Sequence, residues 1–526
     1  MTTRHVLRNA TIVDGRGGPP FAADVAVVDG RIDAIGTAEA EAGDIEIDCE
    51  GRMVMSGLID AHSHADGLLF RDDIQLALFR QGVTTVIGGQ DGVSYAPGDG
   101  SYASEYFAAL NGDHPFYRGK TVADLLAGYD NATRVNFAYL VPAGTVRYEV
   151  VGRALGSADA DQIERMQRLV ADGIRDGAVG MSTGLDYVPG IFADPTELTA
   201  LCQPVADAGA VHVSHMRGGY EANSAAGLDE IAEISHRTGV RSHVSHLHTT
   251  ADSLIALMAS LAMRSVDVTF DAYPYIRGCT LLGMPLLPPE LAARSVDEIV
   301  AELQKPDVRQ GMRANWFPQV EKKPSLGPEW PQMISLSHIA APDYEWAIGL
   351  TVAEASERAG MDAIDFSLDL LVASRLAVNA VMAVRYARPP EELGRILAHD
   401  AHMGGSDGVF IGAHPHPRAY GAFARYLRQY VRDLSTYSWS SAAVHLAARP
   451  AERFGLGDRG QIAKGYVADL IVVDPRTVAD TSTYEDPIAL ARGVDDVFVA
   501  GMHVLAGGEL TEHLAGTGLR RVGTAM

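Results

Sequence analysis

Short apolar runs alternate with amphipathic stretches through the middle of this chain of 526 residues. Apolar residues at helical spacing predict one helix from 161 to 176, and Thr196 begins a second helix that ends at Gly209. Eight apolar runs between such stretches predict buried strands. Strands that alternate with helices predict an α/β fold, a (β/α)8 barrel of the TIM type. The strands are expected within residues 54–64, 84–89, 137–141, 179–184, 211–215, 244–246, 268–273 and 403–407.

The two ends of the chain have a different pattern. Residues 5–55 contain short β-type runs separated by Gly and Asp turns, and an Asp-Gly pair between apolar alternations is typical of a hairpin. Similar runs return at residues 468–474 and 494–501. We therefore expect a small β-sandwich domain built from residues 1–55 and 455–526, beside a catalytic barrel of residues 56–454.

Prolines are frequent between residues 284 and 345, where the alternation of strands and helices stops. This composition predicts an insertion that lies as a lid over the mouth of the barrel.

Charge and composition narrow the classes of protein. The chain has 67 acidic and 43 basic residues and a formal net charge of -24, which would repel nucleic acid. It has no apolar run long enough for a membrane span and no apolar signal core at its N-terminus. Three distant cysteines make a disulfide framework improbable. We expect a cytoplasmic protein without nucleic acid or membrane partners, and the sequence allows a homo-oligomer.

The first predicted strand ends in His62-Ser63-His64. Residues two apart in a strand point to the same side, so the two imidazoles can lie side by side. Neutral imidazole is a common ligand for zinc-like ions. Taken alone, the pair fits two hydrogen-bonded loop histidines equally well.

Other predicted strand ends add chemistry to this pair. In a (β/α)8 barrel, reactive groups gather at the carboxyl ends of the strands. Burying unpaired imidazoles and carboxylates costs several kcal/mol unless they pair or bind an ion. Mixed His and carboxylate ligands suit Zn²⁺ or another borderline divalent metal, as one or two ions. The predicted ligands are His62, His64, Asp91, His215 and His246.

Asp407 follows the last predicted strand and is the candidate general base. It would take a proton from an activated water and hand it to the leaving amine. Its sequence Ser-Asp-Gly is also good turn chemistry, which is the structural alternative.

The chain resembles the amidohydrolase superfamily and, within it, the N-acyl-D-amino-acid deacylases (D-aminoacylases). The likeness covers essentially the whole chain in order. It rests on the runs at residues 57–64, 82–86, 181–185, 271–275, 405–408, 414–418 and 450–456, with 458–460 and 468–470 following.

This resemblance implies roles for individual residues. His62 and His64 match one metal half-site, and His215 and His246 match histidines of the other. Asp407 matches the catalytic aspartate. The family residues that hold the substrate carboxylate are matched by Tyr273 and Arg418.

Several positions depart from the family pattern. Asp91 stands where the family usually has a metal-binding cysteine, and it could be a ligand or a plain turn residue beside Gly92. His248 stands where a substrate-binding lysine often lies, and Cys279 matches a serine near the substrate. Because these residues differ together, we expect retained hydrolytic chemistry with an altered substrate preference. If the centre holds one tight ion, we expect Asp91, His215 and His246 to hold it.

The sequence leaves three functions open. The first is a metal-dependent deacylase that cleaves N-acyl-D-amino acids, small amides that carry a carboxylate. The second uses the same chemistry on a cyclic amide or on another amide or carbamate. The third is a barrel that binds without catalysis, because a fold alone does not guarantee activity.

Overall fold

Eight parallel strands form a nearly closed barrel in the computed structural model, which describes residues 4–39, 41–385 and 388–522. Each strand pairs in parallel with the next along the chain, and the eighth lies beside the first. There Ala61 N–H donates to Gly404 O (3.0 Å), and Asp407 N–H donates to His62 O (2.8 Å). The predicted (β/α)8 fold is confirmed. The barrel strands, numbered first to eighth below, are Leu58–Asp60, Val83–Gly88, Asn136–Pro142, Gly180–Gly184, Val211–His215, Arg241–Val244, Val268–Ala272 and His402–Gly404.

Amphipathic helices cover the outside of the barrel. In Ala160–Arg175, Met166 and Val170 are buried against it, and Asp159 begins the helix with a capping box to Gln162. Pro195–Asp207 begins with a proline in its first turn, where the missing N–H costs nothing. Both helices occur where the sequence pattern predicts them. The other helices around the barrel are Asp72–Arg80, Ser101–Tyr106, Ala108–Asn111, Val122–Ala127, Ala143–Val151, Ser224–Thr238, Ala251–Met263, Pro390–Leu397, Arg418–Arg425, Tyr426–Asp433, Trp439–Ala443, Val444–Ala448 and Arg449–Arg453.

The two chain ends share one nine-stranded sheet. The central contact is antiparallel pairing between Met53–Ser56 and Leu470–Val473. The last strand, Gly518–Leu519, leaves this sheet and pairs with the third barrel strand. The domain boundaries at residues 55 and 455 stay a prediction. The other strands of the sheet are His5–Val13, Phe21–Val28, Arg31–Gly36, Ile45–Asp48, Val494–Val499, Met502–Ala506 and Glu509–Leu510.

Residues 278–382 form a separate unit, here called the cover unit. Its three-stranded sheet joins Gly278–Leu281, Ile334–Ile339 and Val378–Met382, and its own apolar core runs from Leu282 to Ala380. It contains the predicted insertion 284–345 and continues beyond it. Its helices are Gly283–Leu286, Pro289–Ala292, Val296–Leu303, Pro306–Gly311, Met312–Trp316, Phe317–Val320, Trp330–Met333, Val352–Ala359 and Ala363–Ala373.

Among the described residues, none of the helices has the length and apolar character needed to cross a membrane.

Candidate metal centre and active site

The first barrel strand delivers two imidazoles to the mouth of the barrel. His62 and His64 follow this strand, and both are buried. The Asp60 carboxylate accepts hydrogen bonds from the backbone N–H groups of His62 (3.3 Å) and Ser406 (2.8 Å). These bonds tie the ends of the first and eighth strands together. The two histidines therefore lie beside Asp407.

Asp91 lies at the centre of the four predicted histidine ligands. Its Oδ1 is 3.7 Å from Nε2 of His62 and 3.9 Å from Nε2 of His246. Its Oδ2 is 3.7 Å from Nε2 of His64 and 3.7 Å from Nδ1 of His215. Each carboxylate oxygen thus faces a pair of ring nitrogens.

A tight turn after the second barrel strand places Asp91. Gly89 has φ +74°, and a Cβ atom there would come within 2.2 Å of the Leu140 carbonyl oxygen, so only glycine fits. Asp91 itself has φ +55°. Non-glycine residues in this region are uncommon, and such strain often occurs at functional sites.

A buried carboxylate orients His62 from behind. Asp271 Oδ2 lies 3.4 Å from Nδ1 of His62 and 3.0 Å from Nε2 of His243. Its Oδ1 accepts the backbone N–H of His246 (2.9 Å). Because the ionised carboxylate only accepts, the ring proton of His62 belongs on Nδ1. Its Nε2 lone pair then faces Asp91, as a metal ligand requires.

The same arrangement holds for two further histidines. His64 Nδ1 is 2.9 Å from Asn111 Oδ1, and the Asn111 amide group donates to Val93 O (3.1 Å), which fixes the orientation of that side chain. His215 Nε2 is 3.5 Å from Asp186 Oδ2. In each ring the outer nitrogen has an acceptor and the other nitrogen faces Asp91.

These three orienting partners were missed from the sequence. Asp271 carried a signal, because it is an acidic residue near the end of the seventh strand. Asn111 and Asp186 lie outside the barrel strands, and no pattern in the sequence marks them.

The residues fit a divalent metal. His62 Nε2 and Asp91 Oδ1 are buried without a hydrogen-bond partner within the described ranges, which would cost about 1–3 kcal/mol each without an ion. Two groups of three, which share Asp91, have ligand atoms within 4.8 Å of one another. His62 and His64 complete one group, and His215 and His246 complete the other.

The centre has an electrostatic field suited to a cation. Burial opposes charge on His62, but the attraction of Asp271, Asp91 and Asp407 outweighs it and raises its pKa to about 9. Burial likewise opposes charge on His215, yet the hydrogen bonds that its ring donates to the carboxylates of Asp186 and Asp91 raise its pKa to about 10. The carboxylates therefore favour positive charge here, whether it is a proton or a metal ion.

Asp407 stands beside the centre as an ionised carboxylate. Its Oδ1 is 3.4 Å from Nε2 of His64 and 3.7 Å from Nε2 of His62, and its Oδ2 is 2.7 Å from Nη2 of Arg418. Burial favours the neutral acid, but the Arg418 and His246 charges outweigh it and lower its pKa to about 2. An ionised carboxylate at this position can accept a proton.

Arg418 is fully buried behind Tyr273. Its guanidinium carbon lies 4.5 Å from the centre of the Tyr273 ring. Among the residues that the structure describes, Nε and Nη1 of Arg418 have no hydrogen-bond partner. The guanidinium group thus keeps free donors, which suit a carboxylate.

A cavity of about 600 Å³ opens between the barrel mouth and the cover unit. Two of the predicted site residues, His62 and Arg418, lie behind its wall. The predicted residues that line it are His64, Asp91, His215, His246, His248, Tyr273, Cys279 and Asp407.

His248 and Cys279 reach the cavity as neutral groups. His248 Nδ1 donates to His246 O (2.8 Å), and its ring stacks on Tyr220. Burial, helped by the charge of Arg388, lowers the pKa of His248 to about 3. Burial raises the pKa of the Cys279 thiol to about 11. Both side chains are therefore uncharged at neutral pH where they line the cavity.

Comparison with known proteins identifies the class to which this fold and site belong. The Amidohydrolase family matches residues 46–505, so this chain belongs to the amidohydrolase family.

The curated relatives narrow the comparison further. N-acyl-D-glutamate deacylase of Alcaligenes xylosoxydans xylosoxydans is 33% identical, covering 95% of this chain and 93% of the relative. D-aminoacylase from the same organism is 31% identical, and the alignment covers 98% of this chain and 97% of the relative. The resemblance to N-acyl-D-amino-acid deacylases is confirmed.

Solved structures agree with these relatives. N-acyl-D-glutamate deacylase from Bordetella bronchiseptica, complexed with zinc and a phosphonate that mimics the tetrahedral intermediate, superposes with a TM-score of 0.82 at 28% identity. The superposition covers 99% of this chain and 100% of the Bordetella bronchiseptica chain. A D-aminoacylase structure with a binuclear metal centre gives a TM-score of 0.81 at 30% identity, covering 98% and 99%.

Proposed function

We propose that this protein is a metal-dependent amide hydrolase that cleaves N-acyl-D-amino acids to a carboxylate and a free D-amino acid. The position of Asp407 carries the proposal. Its ionised carboxylate lies within 3.7 Å of two histidines of the metal centre and lines the same cavity. The similarity to three deacylases of N-acyl-D-amino acids supplies the substrate class.

The proposed metal is Zn²⁺, as one or two ions, and other divalent metals suit the same ligands. His62, His64 and Asp91 would hold one ion, and Asp91, His215 and His246 the other. When bound, such an ion lowers the pKa of a coordinated water and polarises a carbonyl group.

Asp407 performs the proton transfers in this proposal. It accepts a proton from the attacking water and then delivers it to the nitrogen of the leaving amine. The ion pair with Arg418 keeps the carboxylate ionised before the reaction and fixes its orientation.

Arg418 and Tyr273 form the proposed site for the substrate carboxylate. The Tyr273 ring lines the cavity, and the Arg418 guanidinium lies against this ring, 4.5 Å from its centre. In this proposal the Tyr273 side chain moves when the substrate binds, so that its carboxylate reaches the free donors of Arg418. His248 and Cys279 then contact the substrate as neutral groups. A small-molecule substrate fits within the cavity, while the cytoplasmic location and the absence of nucleic acid and membrane partners stay predictions.

The decisive experiment is a panel of N-acetyl and N-formyl D-amino acids with their L-enantiomers, assayed on zinc-loaded protein. We expect turnover of D-substrates only, and at least about a thousandfold loss of kcat in Asp407→Asn, because the proton acceptor is lost. Absence of turnover throughout the panel, with metal bound, would refute the deacylase proposal.

A cyclic amide or a carbamate is the second candidate, because Arg418 is shielded and His248 supplies no positive charge. Full activity of Arg418→Ala on a cyclic amide would favour it. A non-catalytic barrel would show no bound divalent metal by elemental analysis and no activity after addition of Zn²⁺, Mn²⁺ or Co²⁺.

A further inference from the structure

The outer part of the cavity has an apolar wall on both sides. Loops of the barrel contribute one side and the cover unit contributes the other. Side chains from the two sides face the same space, which is larger than a small acetylated amino acid needs. Among these residues are Leu110, Val188 and Ile191 from the barrel loops and Met284, Leu287 and Met382 from the cover unit.

The aromatic residues of this wall also present carbon to the cavity. Trp316 Nε1 donates to Leu286 O (2.8 Å). The Tyr106 hydroxyl accepts the backbone N–H of Val188 (3.4 Å). Because the only N–H of the Trp316 ring is already donated within the protein, this ring offers a ligand its face and not a donor. The Tyr106 ring offers its face as well, and its hydroxyl group keeps one O–H.

Both cations of the wall, Lys323 and Arg385, already have partners within the protein. Lys323 donates to Pro285 O (3.2 Å), and burial lowers its pKa against the attraction of the nearby Asp186 carboxylate. Arg385 Nη2 lies 3.5 Å from a Glu329 carboxylate oxygen. A second carboxylate on the substrate would therefore have to compete with the contacts that these two cations already make, and Asp186 on the same wall would repel it.

We propose that the cavity selects substrates with a large apolar group over substrates with a second carboxylate. The apolar group is carried either on the acyl carbon or as the side chain of the amino acid. This inference rests on the proposed deacylase function and names the substrate class for it.

Two substrate series test the inference on the zinc-loaded protein. One lengthens the acyl group from acetyl to octanoyl on D-alanine. The other varies the side chain of N-acetyl-D-amino acids from alanine to leucine, methionine and phenylalanine, with aspartate and glutamate as the acidic members. We expect kcat/KM to rise about fourfold per added methylene in at least one series until the cavity is filled. We expect the acidic members to be about tenfold or more below leucine.

The outcomes separate the two proposals. Activity that is highest for acidic side chains, or flat in both series, overturns the apolar selection while the deacylase function stands. No turnover of any member overturns the deacylase function itself. The series that rises identifies which substituent occupies the apolar wall.

Variants of the wall provide an independent test. Ile191→Asn places an amide on the barrel side of the wall, and Met284→Gln places one on the cover unit. Both should flatten the rising series to less than half of its wild-type slope. Ile255→Asn is the matched control, since Ile255 is 41% exposed on an outer helix and away from the cavity. An unchanged slope in both folded wall variants contradicts the inference.

Discussion

At the scale of single residues, Asp91 has the central position in the proposed metal centre. Each of its oxygens faces two imidazole nitrogens, and one of these oxygens has no hydrogen-bond partner within the described residues. A carboxylate is a harder ligand than the thiolate of the cysteine that the resembled family usually has at this position. Asp91 therefore favours harder divalent ions than a cysteine would. A turn residue beside a glycine would not need four such neighbours.

Replacing Asp91 tests this role directly. We expect Asp91→Asn to weaken metal affinity by roughly 100-fold or more and to lower the number of bound ions, because the charged ligand shared by both groups is lost. Chelator competition and elemental analysis measure both quantities. Asp161→Asn, on the exposed side of an outer helix, is the control. Unchanged affinity and stoichiometry would make Asp91 a turn residue.

Asp186 offers a second prediction, because it accepts from the outer nitrogen of His215. Asp186→Ala removes the acceptor, so we expect metal affinity to fall about 10–100-fold. Asp186→Asn keeps a carbonyl oxygen that can accept the same hydrogen bond, so its metal affinity should fall less than that of Asp186→Ala. The measurement is metal affinity without substrate, which separates this role from a substrate contact. Equal affinity in wild type and both variants would show that Asp186 does not orient the ring.

At the scale of elements, the seam between the first and eighth barrel strands positions the chemistry. Asp60 on the first strand binds the backbone N–H and the hydroxyl group of Ser406. Ser406 in turn accepts the backbone N–H of Gly408 (2.9 Å). Asp407 lies between Ser406 and Gly408 in the chain. The hydrogen bonds of these two neighbours therefore fix the backbone from which its carboxylate extends.

Ser406→Ala should therefore affect both stability and rate. The loss of a buried hydrogen bond to a carboxylate is expected to lower the free energy of unfolding by about 1–3 kcal/mol. Loosening of Asp407 should lower kcat more than it raises KM. Thermal unfolding and steady-state kinetics measure the two effects, with the exposed Ser253→Ala as control. A variant with wild-type kcat would show that the seam does not position Asp407.

The barrel and the residues at its strand ends could be predicted because their signal is local. Apolar runs that end in His or Asp mark His62, His64, His215 and Asp407 directly. The pairing of each histidine with its orienting partner could not be found this way. Asp271 is 209 residues from His62, and Asn111 is 47 residues from His64, so only the folded chain brings each pair together. The frequent prolines allowed the middle of the cover unit to be predicted as an insertion. No such compositional signal occurs in the strands on either side, so the full extent of the unit was not predicted.

At the scale of the whole molecule, metal binding should stabilise the fold. The ligands come from strands far apart in the chain, so an ion that binds only the folded protein favours that state. At free metal 100 times its Kd, the gain is about 2.7 kcal/mol for one site.

Calorimetry with and without a chelator checks this expectation. We expect removal of metal to lower Tm, and Zn²⁺ to restore it in wild type. Arg418→Lys changes the active site but retains the proposed metal ligands. It is therefore the control, and its Tm should respond to zinc as the wild-type Tm does. An identical Tm in the chelated and zinc-loaded protein would argue against a metal that contributes to the fold.

The cover unit has its own sheet and its own apolar core, whereas the proposed metal ligands all come from the barrel and its loops. In the proposed function, the catalytic residues and the cover-unit half of the apolar wall therefore lie in separate stretches of the chain. We therefore expect exchange of residues 278–382 between relatives to change the preference for one substrate without rebuilding the proposed catalytic centre. Such a modular division lets a lineage acquire new substrates by recombination or by mutation confined to one segment.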